Sequence, residues 1–345
     1  MLVLARESRG MTQKDLADAT GISQGNISKY ESGLIYIKEE HISNLMNVLG
    51  YSGTFFELPD RRYGFGVSCT YHRRRASMPI QELKSILARV NVLRIHIGRL
   101  LNGAEIECAT GFRRIDCDDH NGDVEKIARM VRSEWMIPDG PIHNMVSVIE
   151  RAGGIVFRCS FGTKKIDAIS QWVGDFPPLF FVNSETPSDR SRFTLAHELG
   201  HVIMHSVTTE SPEQEADRFA AEFLMPKSSV IGDLQHITFD DLVKLKIHWK
   251  VSMQAIIMRA KNLETITPWQ YRALFERISR LGYRTREPID LPIEQPTVLQ
   301  DLINLHITEF GYSIDDLAKL LYISVAELGE LYGISEKPHL RLITR

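Results

Sequence analysis

"FTLAHELGHVIMH", residues 193–205, places His197 and His201 four positions apart, with Glu198 directly after the first histidine. Residues at this spacing share one face of an α-helix, so both imidazoles can approach one metal ion while the carboxylate lies at the edge of the site. Such a carboxylate can accept a proton from water that the ion polarises. The segment is also apolar enough to be an ordinary core helix, and the two histidines alone do not decide between the two interpretations.

A third metal ligand is predicted in "EQEADRFAAEFLMP", residues 213–226. Its apolar stripe consists of Ala216, Phe219, Ala220, Phe223 and Leu224. At about 100° per residue, Glu213 lies nearer the centre of this stripe than Glu215 does, so Glu213 is the predicted ligand, and Glu210 and Glu215 are poorer candidates. Asp217, one turn further on, is placed to accept a hydrogen bond from a metal-bound histidine.

Two further residues of the first segment have expected roles. His205 lies one more turn along the same helix, and it is predicted to be buried or hydrogen-bonded to the site rather than to stabilise a transition state directly. Gly200 is expected to permit the close approach of a neighbouring strand or a substrate backbone.

Composition indicates a globular chain. Its 345 residues are 43% hydrophobic and 25% charged, which suggests two or three domains. No stretch approaches the roughly 18 apolar residues of a transmembrane helix, and the N-terminus lacks a secretory signal, so no membrane contact and a cytoplasmic location are expected. The four cysteines lack C-x-x-C spacing and are predicted to be free thiols.

The N-terminal segment has the pattern of a helix-turn-helix. In "MTQKDLADATGISQGNISKYESG", residues 11–33, Thr12 and Ser23 can each cap a helix, Gly21 suits a left-handed turn, and Ile22 and Ile27 can fill the core. Residues 1–115 also carry five more basic than acidic side chains, whereas the rest of the chain has a net charge of −8. This charge asymmetry is modest evidence for nucleic-acid binding.

The second helix of this pattern offers polar side chains for base and phosphate contacts. Gln and Asn can each pair bidentately with adenine in the major groove, and Lys and Tyr can reach phosphates. The residues predicted to contact DNA are Gln13, Gln24, Gly25, Asn26, Ser28, Lys29 and Tyr30. A small helical bundle used only for protein contacts is the alternative.

Four segments are expected. Residues 1–56 form the helix-turn-helix domain, residues 57–119 a linker with a short strand at 64–71 and a long helix at 79–101, residues 120–265 a domain of alternating helices and strands, and residues 266–345 a helical C-terminal region. Strands are predicted at 154–159, 167–173 and 179–183, and no internal repeat is evident. Arg73–Arg75 are more typical of a solvated face or an interdomain contact than of a DNA-binding site.

These motifs together resemble the ImmA/IrrE family of zinc metallopeptidases, preceded by an XRE-type helix-turn-helix domain. The resemblance rests on RFTLAHELGH, the E..AD.FAAEFLMP pattern and WKVSMQAIIMRAKNL, and it spans about residues 1–56 and 140–285. It implies an α+β, predominantly helical fold in which a small β-sheet accompanies the HExxH helix. It also implies a Zn²⁺ site of His197, His201 and Glu213, with Glu198 as general base. The short spacing before Glu213 departs from the family pattern.

The resemblance further implies regulatory proteolysis, in which members cut a repressor and so switch on stress-response or mobile-element genes. Such enzymes usually bind an extended substrate along an edge strand, which would be Leu179–Asn183 here, with Phe181, Val182 and Asn183 as the substrate strand residues. The competing hypothesis is a transcriptional repressor or an antitoxin of a toxin-antitoxin pair, whose zinc domain is a sensor or scaffold. DNA, a protein partner (repressor or toxin) and a possible homodimer are the partners expected under these hypotheses.

Overall fold

The computed structural model describes residues 1–60, 63, 78–206 and 209–334, which form two compact units. The first unit contains residues 1–60, 63, 78–105 and 299–334, and the second contains residues 106–206 and 209–298. No helix in these ranges is long and apolar enough to span a lipid bilayer. The strand predicted at 64–71 and the arginines Arg73–Arg75 lie outside the described residues.

The first unit begins with α1 (Leu2–Ser8), α2 (Gln13–Thr20), α3 (Gln24–Glu31) and α4 (Glu39–Leu49), followed by a 3₁₀ helix at Gly53–Glu57. Thr12 forms a capping box with Asp15 at the start of α2, Gly21 ends that helix with φ 73°, and Ser23 caps α3. Ile27 of α3 is fully buried. Helices α2 and α3 therefore form the helix-turn-helix that the sequence predicts.

The long helix α5 (Ile80–Leu100) confirms the helix predicted at 79–101, and it packs against α1 within the first unit. Thirteen of its 21 residues are buried. A helix buried over so much of its surface is a core element. This helix therefore groups with the N-terminal helices instead of forming part of a separate linker, as the expected division at 57–119 had it.

The second unit combines a small sheet with a larger set of helices. Its elements are α6 (Val124–Glu134), α7 (Met145–Arg151), β1 (Ile155–Cys159), β2 (Ala168–Gln171), β3 (Leu179–Asn183), α8 (Ser188–Met204), α9 (Pro212–Leu224), α10 (Lys227–Val230), α11 (Phe239–Trp249), α12 (Met253–Asn262) and α13 (Pro268–Arg280). All three predicted strands are present, and helices dominate. The predicted fold class, α+β and mainly helical, is confirmed.

The sheet has the order β1-β3-β2, with β3 parallel to β1 and antiparallel to β2. Val156, Phe180 and Val182 occupy alternate positions of β1 and β3, and they join the same core as the inward side chains of α8 and α9. The sheet therefore supports the HExxH helix α8 from one side. Leu274 and Ile278 of α13, which follow the expected boundary at residue 265, also belong to this core.

The last three helices of the first unit have the same helix caps and left-handed turn as the N-terminal helix-turn-helix. They are α14 (Val298–Thr308), α15 (Ile314–Leu320) and α16 (Val325–Tyr332). Ser313, which stands 301 residues after Thr12, forms a capping box with Asp316 at the start of α15. Tyr322 has φ 61° at the position equivalent to Gly21, and Ser324 caps α16 as Ser23 caps α3. An internal repeat that the sequence did not reveal is therefore present.

Candidate metal centre and DNA-contacting helix

Three side chains that the sequence predicts as metal ligands converge between α8 and α9. The Nε2 atoms of His197 and His201 lie 3.0 Å apart. The Glu213 carboxylate lies 3.2 Å from Nε2 of His201 and 3.7 Å from Nε2 of His197. Two imidazole nitrogens and a carboxylate at this spacing match the nitrogen and oxygen ligands that zinc accepts in a tetrahedral site. The donor set thus fits a zinc ion.

Asp217 lies one turn after Glu213 on α9 and faces the same site. Its Oδ1 is 2.8 Å from Nδ1 of His197. Because an ionised carboxylate can only accept, Nδ1 of His197 carries the proton and Nε2 keeps its lone pair for a metal. The structure therefore places Asp217 where the sequence predicts it.

Glu198 is fully buried, and one of its carboxylate oxygens accepts a 2.5 Å hydrogen bond from the hydroxyl of Ser170. Ser170 lies on β2, so the sheet holds the carboxylate that α8 presents. The sequence does not indicate this role of Ser170, because a serine in a short strand carries no local signal of the buried group that it contacts. Such a hydrogen bond restricts the rotamers of Glu198.

His205 connects the site to a second acidic residue. Its Nδ1 lies 2.7 Å from Nδ1 of His201, and its Nε2 lies 2.8 Å from Oε2 of Glu215. The hydroxyl of Thr209 donates to the same Glu215 oxygen at 2.6 Å. Burial, reinforced by the neighbouring His201, lowers the pKa of His205 to about 4. His205 is thus a neutral hydrogen-bond partner of His201, as the sequence predicts, and Glu215 has a role there that sequence analysis missed.

Gly200 marks the crossing of α8 and α9. A Cβ at this position would lie 3.2 Å from ring atoms of Phe219 and 3.3 Å from Cα of Ala216. The close approach that glycine permits is therefore to helix α9, and not to a strand or a substrate backbone as expected from the sequence. This crossing sets the distance between the histidines of α8 and the acidic residues of α9.

The strand that the sequence predicts as the substrate strand lies at the centre of the sheet. Strand β3 carries Phe181, Val182 and Asn183, and it is hydrogen-bonded to β1 on one side and β2 on the other. The amide of Asn183 donates to the carbonyls of Thr163 and Ile166. A strand paired on both edges cannot accept another strand. Among the described strands, β2 and β1 are the ones at the edges.

A cleft of about 1020 Å³ opens beside the metal-ligand candidates, and His197, Glu213 and Asp217 form part of its wall. Ion pairs border it, including Arg218 with Glu125 at 2.5 Å and Arg190 with Asp167 at 2.6 Å. The volume reaches the upper end of the range for small-molecule pockets.

The outer face of α3 carries most of the side chains predicted to contact DNA. Gln24, Gly25, Ser28 and Lys29 are exposed, and Asn26 is half-buried. Amide side chains on a helix of this motif can pair with base edges in the major groove, and a lysine can contact a phosphate. The described surface of α3 is therefore compatible with base recognition.

Two residues that the sequence predicts as DNA contacts, Tyr30 and Gln13, form hydrogen bonds within the protein. Tyr30 is 7% exposed and shares a 2.8 Å hydrogen bond with Nδ1 of His41, because it lies one turn after Ile27 on the inward face of α3. It therefore packs in the core of the first unit instead of lying on the exposed face of α3. Gln13 is half-buried, and its amide nitrogen donates to Glu31 at 2.8 Å, so this hydrogen bond orients its side chain.

Two family models match the chain. Residues 2–56 match a helix-turn-helix domain, and residues 149–261 match the IrrE N-terminal-like domain of the M78 peptidases. No curated protein matches the chain at a significant level. The matched ranges contain α1–α4 on the one hand and the sheet, the HExxH helix and α9 on the other. The chain thus carries an N-terminal XRE-type helix-turn-helix domain fused to a metallopeptidase-like domain of the ImmA/IrrE type.

Proposed function

We propose that the protein is a DNA-binding zinc endopeptidase that cleaves a transcriptional repressor and thereby controls stress-response or mobile-element genes. The convergence of His197, His201 and Glu213 beside a cleft of about 1020 Å³ carries this proposal. Asp217 on the first histidine and the buried Glu198 next to it supply the accessory groups that zinc-dependent hydrolysis requires.

His197, His201 and Glu213 would hold the ion. When bound, zinc supplies Lewis acidity, which polarises the scissile carbonyl and makes water a stronger acid. Glu198 then accepts the proton of the attacking water and returns it to the leaving amine. The hydroxyl of Ser170 fixes the Glu198 carboxylate for this transfer, since the two groups are 2.5 Å apart.

The substrate main chain pairs with β2 in place of the β3 strand expected from the sequence. Strand β2 stands at one end of the described sheet order, and its Ser170 contacts Glu198, so the strand passes beside the reacting groups. Strand addition supplies main-chain hydrogen bonds that hold a substrate extended across the site.

A second candidate function is that of a repressor or an antitoxin with the metal domain as a scaffold. The exposed Gln24 and Lys29 of α3 favour it, because they retain the chemistry of base and phosphate contacts. This function needs zinc at most for folding, whereas the peptidase needs Glu198 as well.

Metal analysis of the purified protein tests the site. The wild-type chain is expected to retain about one zinc per chain; His201→Ala should lose the ion from this site, and Glu213→Gln should retain less of it there after dialysis. Glu276→Gln, which removes an exposed carboxylate on α13, is the matched control and should bind zinc normally. Zinc-free wild-type protein after gentle purification would contradict the ligand assignment.

Cleavage is tested with Glu198→Gln, which keeps the side-chain shape and removes the base. Protein N-termini that appear in cells on expression of the wild type should disappear in this variant, while zinc content stays unchanged. Loss of a general base lowers the rate by at least about 10²-fold. If Glu198→Gln regulates the same genes as the wild type while Gln24→Ala does not, the repressor or antitoxin function replaces the peptidase.

A further inference from the structure

A second group of metal-binding side chains lies beside the proposed zinc site. Cys117, His205 and Glu215 each offer one ligand atom, and these atoms all lie within 4.8 Å of one another. Cys117 is 4% exposed, His205 is 5% exposed, and the Glu215 side chain is 19% exposed. Sulfur, imidazole nitrogen and carboxylate oxygen together form a ligand set typical of zinc and other thiophilic divalent ions. None of these three atoms belongs to the proposed catalytic set.

The two groups of ligands are joined by a chain of hydrogen bonds between three imidazoles. Nδ1 of His205 faces Nδ1 of His201 at 2.7 Å, and Nε2 of His201 faces Nε2 of His197 at 3.0 Å. A neutral imidazole has one N–H and one lone pair, so a single proton lies between the two Nδ1 atoms. The position of this proton decides which way the lone pairs of His201 and His205 point.

Two arrangements follow. If Nδ1 of His201 carries the proton, its Nε2 lone pair points to His197 and Glu213, and Nε2–H of His205 donates to Glu215 at 2.8 Å. If Nδ1 of His205 carries the proton, its Nε2 lone pair points to Glu215, and Nε2–H of His201 points into the catalytic site instead. The first arrangement prepares His201 for a metal, and the second prepares His205 for one.

We propose that Cys117, His205 and Glu215 bind a thiophilic divalent cation at a second site, and that occupancy of this site excludes the catalytic ion. When the cation binds, the thiol of Cys117 gives its proton to solvent, and the sulfur forms the metal bond. Because His205 then needs its Nε2 lone pair, it donates from Nδ1 to His201, and the N–H at Nε2 of His201 cannot ligate a metal. With neutral rings, the chain therefore holds one ion at either site but not two.

The charges around Cys117 favour a cation there. Burial, followed by the negative charges of Glu215, Asp116 and Asp118, raises the pKa of the Cys117 thiol to about 11. The same negative field that disfavours a thiolate anion attracts a divalent ion, whose charge more than offsets it. Cys108, by contrast, is exposed and has no place in either group of candidate ligands among the described residues.

Cobalt(II) absorption tests the second site directly. Metal-free full-length protein, kept reduced, is titrated with CoCl₂, and a thiolate-to-cobalt charge-transfer band is expected in the near ultraviolet. Cys117→Ser should remove this band, and His205→Gln should remove it as well. The matched control Cys108→Ser should retain it. Absence of the band in both the wild type and His201→Ala, in which the catalytic site no longer competes, or its persistence in Cys117→Ser, would overturn the proposal.

Stoichiometry tests the exclusion, which rests on the proposed catalytic site. Equilibrium dialysis with excess CoCl₂ should give one bound ion per wild-type chain, and Cys117→Ser should also bind one ion, without sulfur absorption. Two ions on the wild type would overturn the exclusion. If only the catalytic assignment is wrong, the wild type shows the sulfur band and Cys117→Ser binds no cobalt. A folding defect could also cause loss of cobalt binding, so the circular dichroism spectrum of each variant must match that of the wild type. Cys117→Ala, a second substitution that removes the sulfur, should give the same result as Cys117→Ser.

Discussion

Gly200→Ala probes the packing that sets the geometry of the proposed zinc site. The new methyl group would lie 3.2 Å from two ring atoms of Phe219 and 3.3 Å from Cα of Ala216. These distances are a few tenths of an ångström shorter than ordinary contacts, and one of them involves the backbone of α9. The helix must therefore move. Because Ala216 lies next to Asp217 and one turn from Glu213, the shift also moves the acidic residues away from the histidines.

Gly200→Ala is expected to change the free energy of unfolding through two effects of opposite sign. In an unhindered helix, replacing glycine by alanine stabilises by about 0.8–1.0 kcal/mol. Overpacking a tight core costs about 1–3 kcal/mol. The net result is a loss of stability of about 0–2 kcal/mol in the metal-free protein. Zinc affinity should fall by roughly 10-fold, since even groups that only orient the ligands change affinity by about 10–100-fold when altered.

Urea unfolding followed by tryptophan fluorescence measures the change in stability of the second unit, which contains the proposed zinc site. All four tryptophans, Trp135, Trp172, Trp249 and Trp269, belong to the second unit. Gly232→Ala is the matched control, because a Cβ there meets no atom within 4 Å and its φ is not positive. If Gly200→Ala raises stability by the full helix-propensity gain and leaves zinc affinity unchanged, the crossing of α8 and α9 does not set the site geometry.

Three other changes have defined outcomes. Tyr30→Phe should lower the stability of the first unit by about 1 kcal/mol through loss of its buried hydrogen bond, with DNA affinity unchanged in a filter-binding assay. Glu327→Gln should speed proteolysis near the C-terminal helices, because it removes the charge from a paired contact with Arg9 at 2.8 Å. Burial lowers the pKa of His96 to about 3, so unfolded chains bind an extra proton between pH 6.5 and 3, and stability falls by about 1.4 kcal/mol per pH unit as the pH drops through this window. In urea unfolding followed by circular dichroism, His96→Gln should reduce the slope by this amount, and the contribution of His205 should remain.

The metal-ligand candidates could be predicted because their arrangement is local. His197 and His201 share a helix face at any position in any fold, and the phase of the apolar stripe brings Glu213 towards the core. The contacts of Ser170 with Glu198 and of His205 with Glu215 join different elements. No spacing within one element encodes them, so they required the structure.

The order of the strands in the sheet could not be predicted from the sequence either, because it also depends on contacts between different elements. Each of the three strands is short and apolar, and a buried strand has the same pattern at the centre of a sheet as at a covered edge. The chain places β3 between β1 and β2, so the most apolar strand becomes the central one. The edge strand beside the site is instead β2, whose polar Ser170 and Gln171 made it the less conspicuous candidate.

The two copies of the internal repeat share a backbone structure but differ in the exposed side chains that could contact DNA. Helix α16 occupies the place of α3 in the repeat, but Val325, Ala326 and Glu330 stand where α3 has Gln24, Gly25 and Lys29. These three residues of α16 are exposed, so its outer face lacks the amide that pairs with a base, and an acidic group replaces the lysine that would contact a phosphate. The caps and the left-handed turn preserve the backbone in both copies, even with tyrosine in place of glycine. DNA chemistry depends on the exposed side chains, and in this chain only the N-terminal copy has retained them among the described residues.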